Sequence, residues 1–311
     1  MIDTFQISKT FARPPDQSEL IEKGWKPLRD RHTGDPTALC YNSAKGEYKP
    51  RLTLSRTRND LWIIRAEVSP GSWLHGSNLH LPDETEMKLV LEKLSEYVNG
   101  RSGVRFDAHA ARTTKVDFTR DFQVGENNIF PIIAKFARFI LPKYHRVCYE
   151  ETSVYFRNNL GKGKLTKQFK IYSKYHDLLG KCEDPTEIKK AKGILRLEIS
   201  HLKAAVNRLA KSLNLPNHHA NKILTKETSE RVIQDAMKRL YFDSFLKIGD
   251  SNIEKLFEMC DSASAFNRVG FLYLRDKYGE DLAKLPFINI SPKTLKRYSD
   301  DCSKAGICSL E

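Results

Sequence analysis

A chain of 311 residues can bury a sizeable core, as one large domain or two modest ones, and needs no partner for stability. With 52 Lys and Arg against 39 Asp and Glu, the formal charge of +13 favours a polyanion such as nucleic acid over an acidic small molecule. Six cysteines without a Cys-x-x-Cys pair argue against a zinc ribbon or a disulfide framework, and no apolar run approaches membrane-spanning length, so a soluble cytoplasmic protein with no membrane partner is expected.

In chain order, residues 2 to 9 read as a strand, followed by paired strands at 49 to 57 and 60 to 68 with a turn at Arg58-Asn59. Pro82 to Glu86 open a helix with acids in its first turn and Met87, Leu89, Val90, Leu91 and Leu94 as apolar positions, and Asn99-Gly100 close it. A strand over Lys115 to Asp121 precedes a helix from Ile129 to Leu141, and further strands fall at 145 to 157, 166 to 174 and 193 to 201. This is an α+β pattern with a largely antiparallel sheet and helices on it. Past about residue 203 only helices are expected: Leu202 to Leu213, Lys226 to Phe245, Ile253 to Met259, Ala263 to Tyr278, and a basic helix capped by Ser291 and closed by Lys304-Ala305-Gly306. The expected division is a domain over residues 1–205 and a helical C-terminal region over 206–311 that serves DNA or partner binding.

Three of these strands place polar residues opposite an apolar set. Val116 and Phe118 alternate with Asp117, Thr119 and Asp121; Phe169 and Ile171 with Lys170, Tyr172 and Lys174; Leu195, Leu197 and Ile199 with Arg196 and Glu198. If the strands share a sheet, carboxylates, a tyrosine and several cations meet on one surface, an inventory suited to metal-assisted phosphoryl transfer with a tyrosine nucleophile. Asp117 and Asp121 lie two pleats apart on one face, Glu198 falls on an equivalent face, and carboxylate oxygens suit Mg2+ or Mn2+. Tyr172 sits between Lys170 and Lys174, whose charges would lower the phenol's pKa, while Tyr175 competes as nucleophile and His176 as ligand or general acid. The stretch from Arg157 to Lys203 holds 12 basic and 5 acidic residues interleaved with Phe169, Tyr172 and Tyr175, as surfaces for single-stranded nucleic acid often do. Lys162, Lys164, Lys167 and Arg196 are its expected DNA contacts. Among nine histidines there is no His-hydrophobic-His triplet, and His218-His219 reads as a loop.

Several segments resemble, in order, the replication initiators of filamentous phages and related plasmids, the gene-two (II/X) type. These are Met1-Ile2-Asp3; Val68-Ser69-Pro70 with Leu74-His75-Gly76-Ser77-Asn78-Leu79; Lys115-Val116-Asp117; Thr152 to Phe156; Ile171 to Lys174; and Leu195 to Ile199. The resemblance implies a degenerate HUH or Rep-like nicking domain and a rolling-circle initiator. Such an enzyme nicks one strand of single-stranded or supercoiled origin DNA, attaches its tyrosine to the 5′ phosphate, leaves a 3′ hydroxyl for host polymerase, works with a host helicase, and later rejoins the ends. It also implies Tyr172 as nucleophile with Lys170 and Lys174 beside it, Asp117 and Glu198 as metal ligands, and Asp121 as the match to a second acid in staphylococcal plasmid initiators. The alternatives are a non-catalytic DNA-binding replication regulator and a mobilisation relaxase with the same chemistry.

Overall fold

A computed structural model describes residues 1–13, 15–29, 36–42, 47–57, 59–139, 141–158, 164–179, 181–182, 184–247, 267–274 and 291–304. The chain divides into two units, Met1–Ala236 and Met237–Glu311.

The first unit is built on a ten-stranded antiparallel sheet: β1 (Ile2–Phe11), β2 (Lys26–Arg29), β3 (Pro36–Tyr41), β4 (Arg51–Arg56), β5 (Trp62–Val68), β6 (Arg112–Gln123), β7 (His145–Tyr149), β8 (Ser153–Arg157), β9 (Lys167–Ser173) and β10 (Ile194–Leu202). Between and after the strands come helices α1 (Gln17–Glu22), α2 (Pro70–His75), α3 (Glu84–Ser102), α4 (Glu126–Arg138), α5 (Lys174–Leu179), α6 (Pro185–Lys190) and α7 (Lys203–Ser212). The spatial order of the strands is β2-β3-β4-β5-β1-β6-β10-β9-β8-β7. Hairpins account for most neighbours, but β1 lies between β5 and β6, and β10 is inserted between β6 and β9. That insertion brings residues near 117, 170 and 198 side by side.

Directly paired residues share a face of an antiparallel sheet. Ile199 pairs with Phe118 and with Phe169, and Leu197 with Ile171, so these side chains form one apolar face, fully buried. Each such Leu, Ile or Phe contributes roughly 1.5 to 3 kcal/mol by leaving water. Helix α4 buries Ile129, Ile132, Ile133 and Phe136, a spacing that makes one stripe, and it packs on β8, β9 and β10. Helix α7 does the same for β6 and β10 with Ala205, Val206 and Ala210.

Several boundaries differ from the sequence expectation for local reasons. The helix that follows Pro82, α3, begins in a capping box between Asp83 and Glu86. It runs through Gly100 and stops at Gly103, whose φ of 65° is the left-handed geometry that ends a helix. Residues 145–157 are two strands, turned where Glu150 takes φ of 46°. The long helix expected from Lys226 breaks at Tyr241, also left-handed at φ of 50°, into one segment over Lys226–Leu240 and another over Phe242–Lys247. Strands β2 and β3 lie outside the sequence expectation, and β2 is exposed throughout, so it carries no alternation to read. The short helix α2 is likewise additional to it.

The first unit runs to Ala236, past the division at 205 expected from the sequence. Residues beyond 205 are tied into the sheet unit by an Arg112–His219 bridge, by Ala220 N–H donating to the Ala111 carbonyl at 2.9 Å, and by Ser229 Oγ donating to the Met1 carbonyl at 3.0 Å. In the second unit the described residues 267–274 and Pro292–Lys304 are helical, and Arg268 holds Asp301 through Nε at 2.8 Å. The helix expected over Ile253 to Met259 lies outside the described residues, as does half of that over Ala263 to Tyr278.

Candidate active site

Opposite the apolar face, register alone assembles the polar set. Glu198 pairs with Thr119 on one side and Lys170 on the other, Arg196 with Asp121 and Tyr172, and Ser200 with Asp117. A register shift in β1 between Ile2 and Thr4 turns Asp3 into the same cluster. Within strands β6, β9 and β10, the polar set anticipated from alternation is therefore on one face. That face is covered: Glu198 is 4% exposed, Asp117 3% and Tyr172 8%.

Glu198 is the hub. Lys170 Nζ makes an ion pair with Oε1, the Tyr172 hydroxyl donates to Oε2 at 3.2 Å, and Ser200 Oγ lies 3.4 Å from Oε1. Burial and the Glu198 charge push the Tyr172 phenol well above its ordinary value. This reverses the expected direction, because desolvation and the nearby carboxylate outweigh the cations. Lys170 is held well above the ordinary lysine value: burial opposes its charge, but Glu198 and Asp117 overcome that.

Asp117 has Lys115 Nζ at 3.4 Å from Oδ2, while its buried Oδ1 has no hydrogen-bond partner. Burial first, and the Glu198 charge second, push its carboxyl up to about 6. A buried carboxylate oxygen without a donor, beside a second carboxylate, is a suitable seat for a hard divalent cation.

Asp121 does not join that pair. Both its oxygens are taken by Arg196, from Nε at 2.6 Å and Nη2 at 2.8 Å, and it is not a third ligand in this arrangement. Arg196 also reaches Asp3 Oδ1 at 3.0 Å and the Asn78 carbonyl at 2.9 Å. Its exposure is 0%, so Arg196 is corrected from DNA contact to buried ionic anchor. Lys174 does not continue the strand: β9 ends at Ser173, and Lys174 opens the short helix α5, fully buried, with its ammonium 2.8 Å from Asp177 and 5.9 Å from the centre of the Tyr172 ring, beside the tyrosine. Burial and then Arg196 lower its pKa.

Tyr175 and His176 lie elsewhere, in a small open cleft lined also by Glu126, Phe130, Ser173 and Lys192. Of the expected DNA contacts, Lys164 is exposed, and Lys167 is half-buried with its ammonium 5.1 Å above the Phe169 ring. Lys162 lies outside the described residues. Sequence reasoning misses two site residues. Asp3 reads as an ordinary strand residue until the shift in β1 turns it, and half-buried Tyr155 faces Lys170 across β8 and β9.

The fold and the cluster define a class: an α+β protein whose antiparallel sheet carries a buried carboxylate, lysine and tyrosine site on a strongly basic chain. The sequence model of the phage CRI family, described as the N-terminal region of the replication-associated gene-two protein, matches residues 17–225. The chain belongs to that family, which assigns it a role in replication initiation and DNA as its partner. No curated protein matches the sequence. One solved structure, the di-domain ARO/CYC BexL from the BE-7585A biosynthetic pathway, aligns over 77% of this chain and 96% of its own at 10% identity and a TM-score of 0.26. A likeness of that depth assigns neither fold nor function. Among the described residues no helix is long and apolar enough to cross a membrane.

Proposed function

We propose that the chain is a rolling-circle replication initiator whose first unit, a Rep-like domain, nicks and rejoins one strand of origin DNA through a 5′-phosphotyrosine. The observation that carries this reading is the Tyr172 hydroxyl bonded to Glu198 beside Asp117, with its unpartnered oxygen. In the proposed step the Tyr172 oxygen forms a bond to phosphorus and the bond from phosphorus to the 3′ oxygen breaks. The phenol proton passes to Glu198 Oε2 and from there, through solvent water, to the departing 3′ oxygen, which becomes a hydroxyl. Because one phosphoester replaces another, the reverse reaction religates without a nucleotide cofactor.

Asp117 and Glu198 fit Mg2+ or Mn2+, which bind through one or two carboxylates and keep several waters. Such an ion would polarise the scissile phosphate. Lys170, already at Glu198, offsets charge that develops on the phosphoryl oxygens. Lys164 and Lys167, with Lys162, contact the DNA backbone, and the C-terminal helices bind DNA or a partner such as the host helicase or polymerase.

The low exposure of Tyr172 favours a second reading, in which the more accessible Tyr155 attacks from across Lys170. Incubating the protein with labelled single-stranded origin fragments and Mn2+, then identifying the nucleotide-bearing peptide by mass spectrometry, separates the two. A DNA-binding regulator without chemistry yields no adduct and binds DNA unchanged when Asp117 and Glu198 become alanine. A mobilisation relaxase would form the same adduct on transfer-origin fragments.

A further inference from the structure

We propose that His75, His80 and Glu86 form a second divalent-cation site, selective for a borderline transition-metal ion such as Zn2+, on the segment that braces Arg196.

Three elements supply the ligands: His75 from the last turn of α2, His80 from the loop after it, and Glu86 from the first turn of α3. His75 Nε2 lies 2.9 Å from Glu86 Oε1, and His80 Nε2 lies 3.2 Å from Oε1 and 3.0 Å from Oε2. All three ligand atoms fall within 4.8 Å of one another. Metal bonds of about 2.05 Å at tetrahedral angles separate ligand atoms by roughly 3.3 Å, so an ion enters with only a slight opening of the triplet. The histidines are about half exposed, which leaves the remaining positions open to water or a ligand.

The loop is held in this shape before any ion arrives. Gly76 ends α2 in the left-handed geometry at φ of 73°, a Cβ at Gly71 would run into the His80 carbonyl, and the capping box fixes Glu86 through Asp83 N–H at 3.0 Å. Two imidazole nitrogens and one carboxylate suit zinc-like ions, whereas the all-oxygen pair of Asp117 and Glu198 suits Mg2+ or Mn2+. Between the two histidines stands Asn78, whose carbonyl accepts from Arg196 Nη2 at 2.9 Å, and Arg196 pairs in register with Tyr172. An ion at His75 and His80 would therefore stiffen the support of the buried arginine next to the tyrosine.

The test reads binding directly and does not depend on nicking. Zn2+ is titrated into the metal-stripped full chain against a chromophoric chelator in excess Mg2+. One tight equivalent is expected, with two imidazoles seen by X-ray absorption. His75→Ala and His80→Ala should each weaken it more than about tenfold, since even outer-shell changes at metal sites cost about 10- to 100-fold. Glu86→Gln, which retains the capping acceptor, should also weaken it, and this variant decides if the histidine variants do not fold. Asp117→Asn should leave the affinity unchanged. Unaltered Zn2+ affinity in Glu86→Gln or in the folded double histidine variant overturns the site, leaving the triplet as a hydrogen-bonded helix cap. An equal loss in Asp117→Asn overturns it too, by putting the ion among the carboxylates.

Discussion

Replacing Asp117 by Asn should stabilise the first unit while abolishing nicking. The Asp117 carboxyl is displaced from an ordinary 3.8 to about 6 by burial and by Glu198. At about 1.4 kcal/mol per pH unit, keeping it ionised in the fold costs on the order of 3 kcal/mol above pH 6. The sign follows from proton counting: between pH 4 and 6 the native state binds the extra proton, so stability falls as pH rises through that window and is level above it. The substitution removes the cost but weakens the support of Lys115, which keeps Glu67 at 2.8 Å, a loss below about 1 kcal/mol at that exposure. A net gain of about 2 to 3 kcal/mol is expected at pH 8, vanishing at pH 4. Urea unfolding followed by tryptophan fluorescence isolates this unit, because Trp25, Trp62 and Trp73 all lie within it. Saturating Mn2+ should raise the stability of the parent protein by about 2.7 kcal/mol at 100 times its Kd and leave Asp117→Asn unmoved. A difference between the two proteins that is the same at pH 4 and pH 8, or a loss at pH 8, would refute the argument.

Arg196→Met leaves Asp3 and Asp121 uncompensated and should destabilise by about 3 to 5 kcal/mol, more at pH 8 than at pH 4, as urea midpoints would show. His201, buried against Phe118, has its imidazole pushed down to about 3 by desolvation, so its stability contribution is complete above pH 6.5 and lost as pH falls toward 3. His201→Leu should therefore recover about 3 kcal/mol of the loss between pH 7 and pH 4. Tyr172→Phe removes one hydrogen bond, about 1 kcal/mol, and should eliminate the covalent adduct, while Tyr155→Phe keeps it; an adduct persisting in Tyr172→Phe would move the nucleophile to Tyr155. Binding to single-stranded DNA should weaken with salt at a log-log slope of about −3 to −7, flattened when Lys162, Lys164 and Lys167 are replaced together, and filter binding across salt concentrations measures it.

Much of this protein is written in its alternation. The apolar set Val116, Phe118, Phe169, Ile171, Leu195, Leu197 and Ile199 repeats with the pleat, and the residues between them had to share the other face wherever those strands met. Helix ends set by Asp83 or Ser291 are equally local, because a cap is a bond between neighbours in sequence. What alternation does not specify is strand order or solvent access. Placing β10 between β6 and β9 is a long-range choice, and it turns Asp121 and Arg196 from a ligand and a DNA contact into partners of each other. The shift in β1 that adds Asp3 leaves no mark in the sequence pattern. The covering of Tyr172 and Lys174 reverses the expected direction for the phenol, since desolvation depends on what packs above a strand and not on which residues lie within it. His75, His80 and Glu86 fit no spacing rule, and only the turn from α2 into α3 brings them to one point.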